Sequence, residues 1–305
     1  MNTRRISWDR VSFLVPENWE VALYRFLKKG VTRLELEDEY AVRMEAEWIR
    51  PGRKITPKQI LDRYEKSTRK LTMRASRTKR ISGLPPDWHA TQYIMRETLP
   101  TRSNKKELSA VEHSLVTAFY LCPRSTLVGC FFVHFMPGDR ESPVKIMKVL
   151  SSDFIKHNEA GLVPWQLYDI SFEVPHDFLL ENTKFDIGSK LMIFRWKMRR
   201  FHLWHFSCAD RFLKGDKSME EWVTGYLNTF RGFPGIVFRP GKNGEILWRR
   251  RAPHVIAHRD EISRWCFKLK VHCRVEKQNN QLIVWAFSYR KEEDLQVLKR
   301  FLPDA

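Results

Sequence analysis

The chain has 305 residues, 43% of them apolar, with eleven Trp and twenty Phe, and that length favours two domains of about 150 residues over one undivided core. Its 54 basic and 36 acidic side chains leave a formal charge of +18. The excess is shared by residues 1–158 (29 basic, 18 acidic) and 159–305 (25 basic, 18 acidic), so it is not a detachable tail and points to an anionic partner. Five cysteines without a CxxC pair argue against a disulfide framework or a zinc ribbon, and no stretch has the apolar length of a membrane span or a leader, so a reducing, cytoplasmic setting is expected.

From Val11 the chain reads Val-Ser-Phe-Leu-Val-Pro-Glu-Asn-Trp, a short strand stopped by Pro16 and followed by an aromatic, Trp19, that can cover the end of a sheet. Tyr40, Val42, Met44, Ala46 and Trp48 alternate with Arg43, Glu45 and Glu47, which predicts a strand with one wet face. Thr56-Pro57-Lys58-Gln59 reads as a capping box opening a helix with Ile60, Leu61, Tyr64 and Leu71 on its inner face. A Gly-Leu-Pro-Pro turn at 83–86, a strand from Leu127 to Phe135, and a helix opened by Ser142-Pro143 and carrying Ile146, Met147, Leu150 and Phe154 complete the half.

The second half repeats this order. Ile170 opens Ile-Ser-Phe-Glu-Val-Pro-His-Asp-Phe, so Ser-Phe-x-Val-Pro-x-x-aromatic occurs twice. Met192, Phe194, Trp196 and Met198 alternate with Arg195, Lys197 and Arg199. Ser218-Met219-Glu220-Glu221 is a second capping box, before Trp222, Val223, Tyr226, Leu227 and Phe230. A Gly-Phe-Pro-Gly turn at 232–235, a hairpin turn at Asn279-Asn280, a strand from Leu282 to Tyr289 and a helix from Lys291 carrying Leu295, Leu298 and Phe301 follow. The expected fold is therefore α+β: two tandem copies of an antiparallel sheet with packed helices, a pseudo-twofold internal duplication with units at 1–158 and 159–305.

Val15-Pro16-Glu17-Asn18-Trp19 and Leu84-Pro85-Pro86-Asp87-Trp88, with this element order, resemble the Mog1/PsbP-like α/β/α sandwich. The resemblance covers the first half directly and the second by way of the repeat. It implies a binding or assembly role, because members of that superfamily are mostly such factors. The charge and the duplication depart from the single-domain pattern, so the resemblance carries no partner over.

None of GxxxxGK[ST], GxGxxG, HExxH or GxSxG is present, which leaves phosphate-loop, dinucleotide, zincin and hydrolase readings unsupported. No cofactor, metal or catalytic residue is expected. His202, His205 and Cys208 could converge on a metal only off a regular strand, where the two histidines take opposite faces. His254 with His258 shares a face but reads as half-exposed histidines, and His272 with Cys273 takes opposite faces. Glu35, Glu37, Asp38 and Glu39 read as a solvated hairpin end.

The basic segments carry more. Arg63, Lys66, Arg69, Lys70, Arg74, Arg77, Lys79 and Arg80 run from the exposed side of the first capped helix into the next strand. Arg239, Lys242, Arg249, Arg250 and Arg251 flank Trp248, with Arg259, Arg264, Lys268 and Lys270 expected along a hairpin and Arg195, Lys197, Arg199 and Arg200 on another strand. Such density neutralises phosphates, and a neighbouring Trp can stack on a base. Arg69, Arg74, Arg77, Arg80, Arg249, Arg250 and Arg251 are the candidate anion-binding residues, with Trp248 as the stacking platform. The expected function is a non-catalytic binding or scaffold protein for an anionic macromolecule, nucleic acid before acidic protein. An assembly factor for an acidic or apolar protein partner, and an enzyme with an unfamiliar site, stay open as alternatives; no membrane partner is expected.

Overall fold

Side chains that alternate between interior and solvent set most of the elements, as in β4 and β9 below, where every second residue is buried. The computed structural model describes residues 1–27, 31–49, 57–100, 108–122, 127–156, 161–167, 169–213, 218–251 and 259–302. The chain divides into two compact units, Met1–Lys156 with Gln166–Tyr168 and His157–Trp165 with Asp169–Ala305.

In the first unit the chain runs through β1 (Thr3–Trp8), β2 (Val11–Pro16), β3 (Glu20–Leu27), β4 (Val31–Glu37), β5 (Val42–Ile49), α1 (Pro57–Arg74), β6 (Arg77–Ile81), β7 (Trp88–Pro100), β8 (Leu108–Leu121), β9 (Val128–Phe135), α2 (Pro143–Ser152) and β10 (Ile155–Lys156). Seven strands form one antiparallel sheet in the order β3-β4-β5-β9-β8-β7-β6. β10, β2 and β1 are neighbours in a separate antiparallel group.

The second unit holds β11 (Leu162–Leu167, its first four residues), β12 (Ile170–Pro175), β13 (Leu179–Asp186), β14 (Ser189–Trp196), β15 (Arg199–Ser207), α3 (Ala209–Phe212), α4 (Met219–Thr229), β16 (Ile236–Pro240), β17 (Glu245–Arg250), α5 (Arg259–Arg264), β18 (Lys268–Glu276), β19 (Gln281–Tyr289) and a closing 3-10 helix, Glu292–Arg300. Its sheet has the order β13-β14-β15-β19-β18-β17-β16 and is antiparallel throughout. Both seven-stranded sheets thus follow one path: three strands in sequence, a helical crossing to the far edge, then four strands returning until the last bonds the third. The fold is α+β.

The paired Ser-Phe-x-Val-Pro segments take the same local form. Proline ends each strand because it has no N–H for the ladder, and the following aromatic amide donates back to the proline carbonyl, Trp19 to Pro16 at 3.1 Å and Phe178 to Pro175 at 2.9 Å. Both rings are buried. Ser142 caps α2 through its side chain, and Ser218 with Glu221 closes a full capping box on α4.

Four expectations need correction. The run Met192 to Met198 is not one strand: the chain turns over at Lys197, whose φ is 55°, so Trp196 pairs with Arg199 and Arg195 with Arg200 across a hairpin. By sheet order the counterpart of β5 is therefore β15, not β14. Arg259 to Arg264 form a helix rather than part of a hairpin. Asp38 is not solvated: its side chain is 5% exposed and accepts from Arg43 at 2.5 Å, while Asp139 takes the other arm of that buried guanidinium at 2.7 Å. Burial alone would raise the Asp38 pKa, yet the amides of Tyr40 and Ala41 together with Arg43 hold it below the usual carboxylate value. Thr56, His254 and His258 lie outside the described residues.

Candidate anion-binding groove

The basic run of the first unit is divided between a helix and an edge strand, and one tight connection sets their geometry. The Ala75 amide donates to the Leu71 carbonyl at 2.9 Å, closing α1, and the amide and hydroxyl of Ser76 both donate to the Ile94 carbonyl at 2.9 Å, which starts β6 alongside β7. Arg74 and Arg77 flank this junction. Lys66, Arg69, Lys70, Arg74, Arg77, Lys79 and Arg80 are all exposed, and none forms an ion pair among the described residues.

Between α1 and the sheet lies a groove of about 950 Å³. Lys66 and Arg69 line it from the helix, and Arg80 and His89 from β6 and β7; Asp62 and Glu65 stand on the same wall. Arg80 pairs with Thr91 in the ladder, which turns its side chain toward the helix side, whereas Arg77 and Lys79 take the other face of β6. Of the four predicted residues here, Arg69 and Arg80 share the groove, Arg74 sits at its end and Arg77 behind it.

The wall between the cations is built of hydroxyls. Tyr64 meets the Thr117 hydroxyl at 2.5 Å and donates to the Thr117 carbonyl at 3.1 Å. Thr68 and Thr72 turn their hydroxyls onto the helix carbonyls of Tyr64 and Thr68 at 3.0 and 3.3 Å. Burial pushes the Tyr64 phenol up to about 12, so it is a neutral donor at physiological pH. The hydroxyl protons of Tyr64, Thr68 and Thr72 are committed within the protein, so the cationic rim supplies the charge-assisted donors for phosphate or carboxylate oxygens.

The predicted residues of the second unit are separated by strand geometry. Trp248 is half-buried against the core, and its indole N–H donates to the Leu269 carbonyl at 2.5 Å, so this ring is part of the packing on that side of the sheet. Arg250 lies on the same side of β17 and is held by both carboxylate oxygens of Glu261 at 2.9 and 3.2 Å. Arg249 takes the opposite face and is exposed, as is Arg251 just past the strand end. Arg249 and Arg251 are therefore both exposed, whereas Arg250 is tied to Glu261.

His202 and His205 sit on opposite faces of β15, the first against Trp204 and Phe233 and the second against Phe172. Burial drives His205 down to about 4, which keeps it neutral. Among the described residues no three His, Cys, Asp or Glu side chains gather in a way that could hold a metal ion, and no helix is long and apolar enough to cross a membrane. The residues the sequence reading missed are the hydroxyls Thr68, Thr72, Thr91 and Thr117; the helical repeat Tyr64, Thr68, Thr72 is the signal that could have found them. No known family model matches the chain, and no curated protein matches it.

Proposed function

We propose that this is a non-catalytic binding or scaffold protein that takes an anionic macromolecule, single-stranded nucleic acid first, on the cationic face of α1 and β6. The observation that carries this reading is the run of seven exposed cations from Lys66 to Arg80 with no carboxylate partner among the described residues. An unpaired guanidinium or ammonium keeps its full attraction for a phosphate, whereas one already bridged to a carboxylate must exchange partners. Phosphate contacts come from Lys66, Arg69 and Arg80 in the groove and Arg74 at its end, with Arg77 reached on the outer face as the nucleic-acid strand passes over the edge at β6.

We further propose that the two units descend from duplication of one building block. The identical strand order of the two sheets and the matching proline-to-aromatic turns at Pro16–Trp19 and Pro175–Phe178 support it. Resemblance to the Mog1/PsbP-like sandwich stays part of this proposal, as does a cytoplasmic setting.

An acidic protein segment is the second reading, favoured by Met73, which is 79% exposed and lines the same groove. The two separate by salt. Fluorescence anisotropy with a labelled single-stranded oligonucleotide is expected to give a log–log salt slope steeper than about −3 if five or more phosphates are neutralised. A slope near zero, or no binding at low salt, overturns the nucleic-acid reading.

A further inference from the structure

The second unit contains a separate concavity of about 350 Å³, at the open end of the layer that α4 covers. Phe233, Ile236 and Leu269 supply its apolar walls; Phe233 and Leu269 are continuous with the buried core, being 8% and 7% exposed. The loop after α4 is fixed over it by two backbone bonds, Arg251 to the Gly235 carbonyl at 2.8 Å and Ile236 to the Phe233 carbonyl at 3.3 Å. These bonds hold in place the backbone that carries Phe233 and Ile236.

Its charge is one-sided. Arg200, Arg231, Arg264 and Lys268 line it against a single carboxylate, Glu261, which Arg250 already occupies from outside the cavity. Arg200 and Arg264 are oriented by a shared carboxylate, Glu181, at 2.8 and 2.9 Å, and these two guanidinium groups draw the Glu181 pKa down to about 2. Lys268 is bridged to Glu292 at 2.7 Å. Arg231 is exposed and has no ion-pair partner among the described residues. His202 and Ser288 add polar atoms. The Cys266 thiol is a buried donor to the Met198 and Arg264 carbonyls, with its pKa raised by burial, so it is not a nucleophile.

We propose that this cavity binds a small amphiphilic anion: a short acyl or aryl body against Phe233, Ile236 and Leu269, with a carboxylate or phosphate held at Arg231. Ligand pockets typically combine an apolar lining with a few convergent polar groups in such a volume. The space admits roughly a dozen non-hydrogen atoms, taking a benzene-sized cavity as the yardstick. Nothing in this proposal depends on the groove of the first unit.

The test is titration of the full chain with the fluorescent anion 1-naphthalenesulfonate, a dye small enough for the cavity, then displacement by octanoate, octyl phosphate, octanol and inorganic phosphate. Octanoate or octyl phosphate is expected to displace the dye, and the stronger of the two identifies the head group. Octanol, which lacks charge, and inorganic phosphate, which lacks a chain, should each be weaker by about tenfold or more. Arg231→Glu should weaken the anion by about tenfold, while Arg239→Glu, an exposed charge reversal outside the cavity, should not. Ile236→Trp, which fills the space, should abolish displacement with the circular dichroism spectrum unchanged. Absence of dye binding, equal displacement by octanol or by inorganic phosphate, or an Arg231→Glu variant indistinguishable from the parent would each overturn it.

Discussion

The corner formed by α1 and β6 in the first unit and the corner formed by α4 and β16 in the second occupy the same place in the same strand order, yet they are closed by different chemistry. In the second unit Val223 and Leu227 are buried under α4 among Trp204, Phe206, Phe238 and Val284, and Asn228 ties the helix to the edge strand, donating to the Phe238 carbonyl at 3.1 Å and accepting from the Phe238 amide at 2.8 Å. In the first unit the helix presents Tyr64, Thr68 and Thr72 to a sheet surface that includes Thr91 and Thr117. Hydroxyls bond one another and the helix carbonyls but gain little from collapse, so a groove stays open there. One topology therefore yields one corner packed by apolar side chains and one lined by hydroxyls, and the hydroxyl-lined corner carries the continuous run of cations without ion pairs among the described residues.

Replacing the apolar seal should have the largest effect. Leu227→Ala removes a side chain that is 1% exposed and is expected to cost about 2–5 kcal/mol in urea unfolding followed by tryptophan fluorescence. Thr68→Ala, on the inner face of α1, should cost well under half of that; equal losses would break the contrast between an apolar and a hydroxyl corner.

Next in size is the rivet. Asn228→Ala leaves the Phe238 amide and carbonyl without their partner and should cost about 1–3 kcal/mol, with faster hydrogen exchange at the Phe238 amide as its local signature. Unchanged exchange there would mean that packing alone keeps the corner shut.

Charge reversal probes the open corner. Arg69→Glu combined with Arg80→Glu should weaken oligonucleotide binding about tenfold or more, roughly 1.4 kcal/mol, and flatten its salt dependence. The same exchange at Arg249 and Arg251 should have a smaller effect, because among the described residues those two side chains do not line the groove. A reversed order in anisotropy titrations would move the interface to the second unit.

The smallest effect belongs to the phenol. Tyr64→Phe should cost about 0.5–1.5 kcal/mol at neutral pH. The folded pKa of Tyr64 is raised from 10.0 to about 12, so its contribution is fully present below pH 10 and is lost as pH rises toward 12. A stability–pH curve of the Phe variant should lack that alkaline component, and an unaltered curve would place the titration elsewhere.

Much of this was legible locally. The alternation in β5 and β9, the Ser218–Glu221 capping box and the passage of the basic run from helix into strand all depend on neighbours within a few residues, where periodicity speaks directly. The turn at Lys197 was not legible, because a left-handed lysine carries no Gly, Asn or Pro signal and the residues around it continue the alternation. Trp248 and Arg250 were read as available because sequence gives their density but not their partners, Leu269 and Glu261, which lie 21 and 11 residues away. The groove escaped for the opposite reason: threonine in a helix reads as a weak former, and its role emerges only opposite another strand's hydroxyls.

By itself the sequence determined the α+β character, the recurring proline-to-aromatic turns and the surplus of positive charge, since each follows from residue type and short-range period. Which cations stand unpaired, which corner closes, and where a cavity opens were decided by tertiary structure alone. Partner choice across a sheet depends on register, and a one-residue difference in register sends a side chain to the other face.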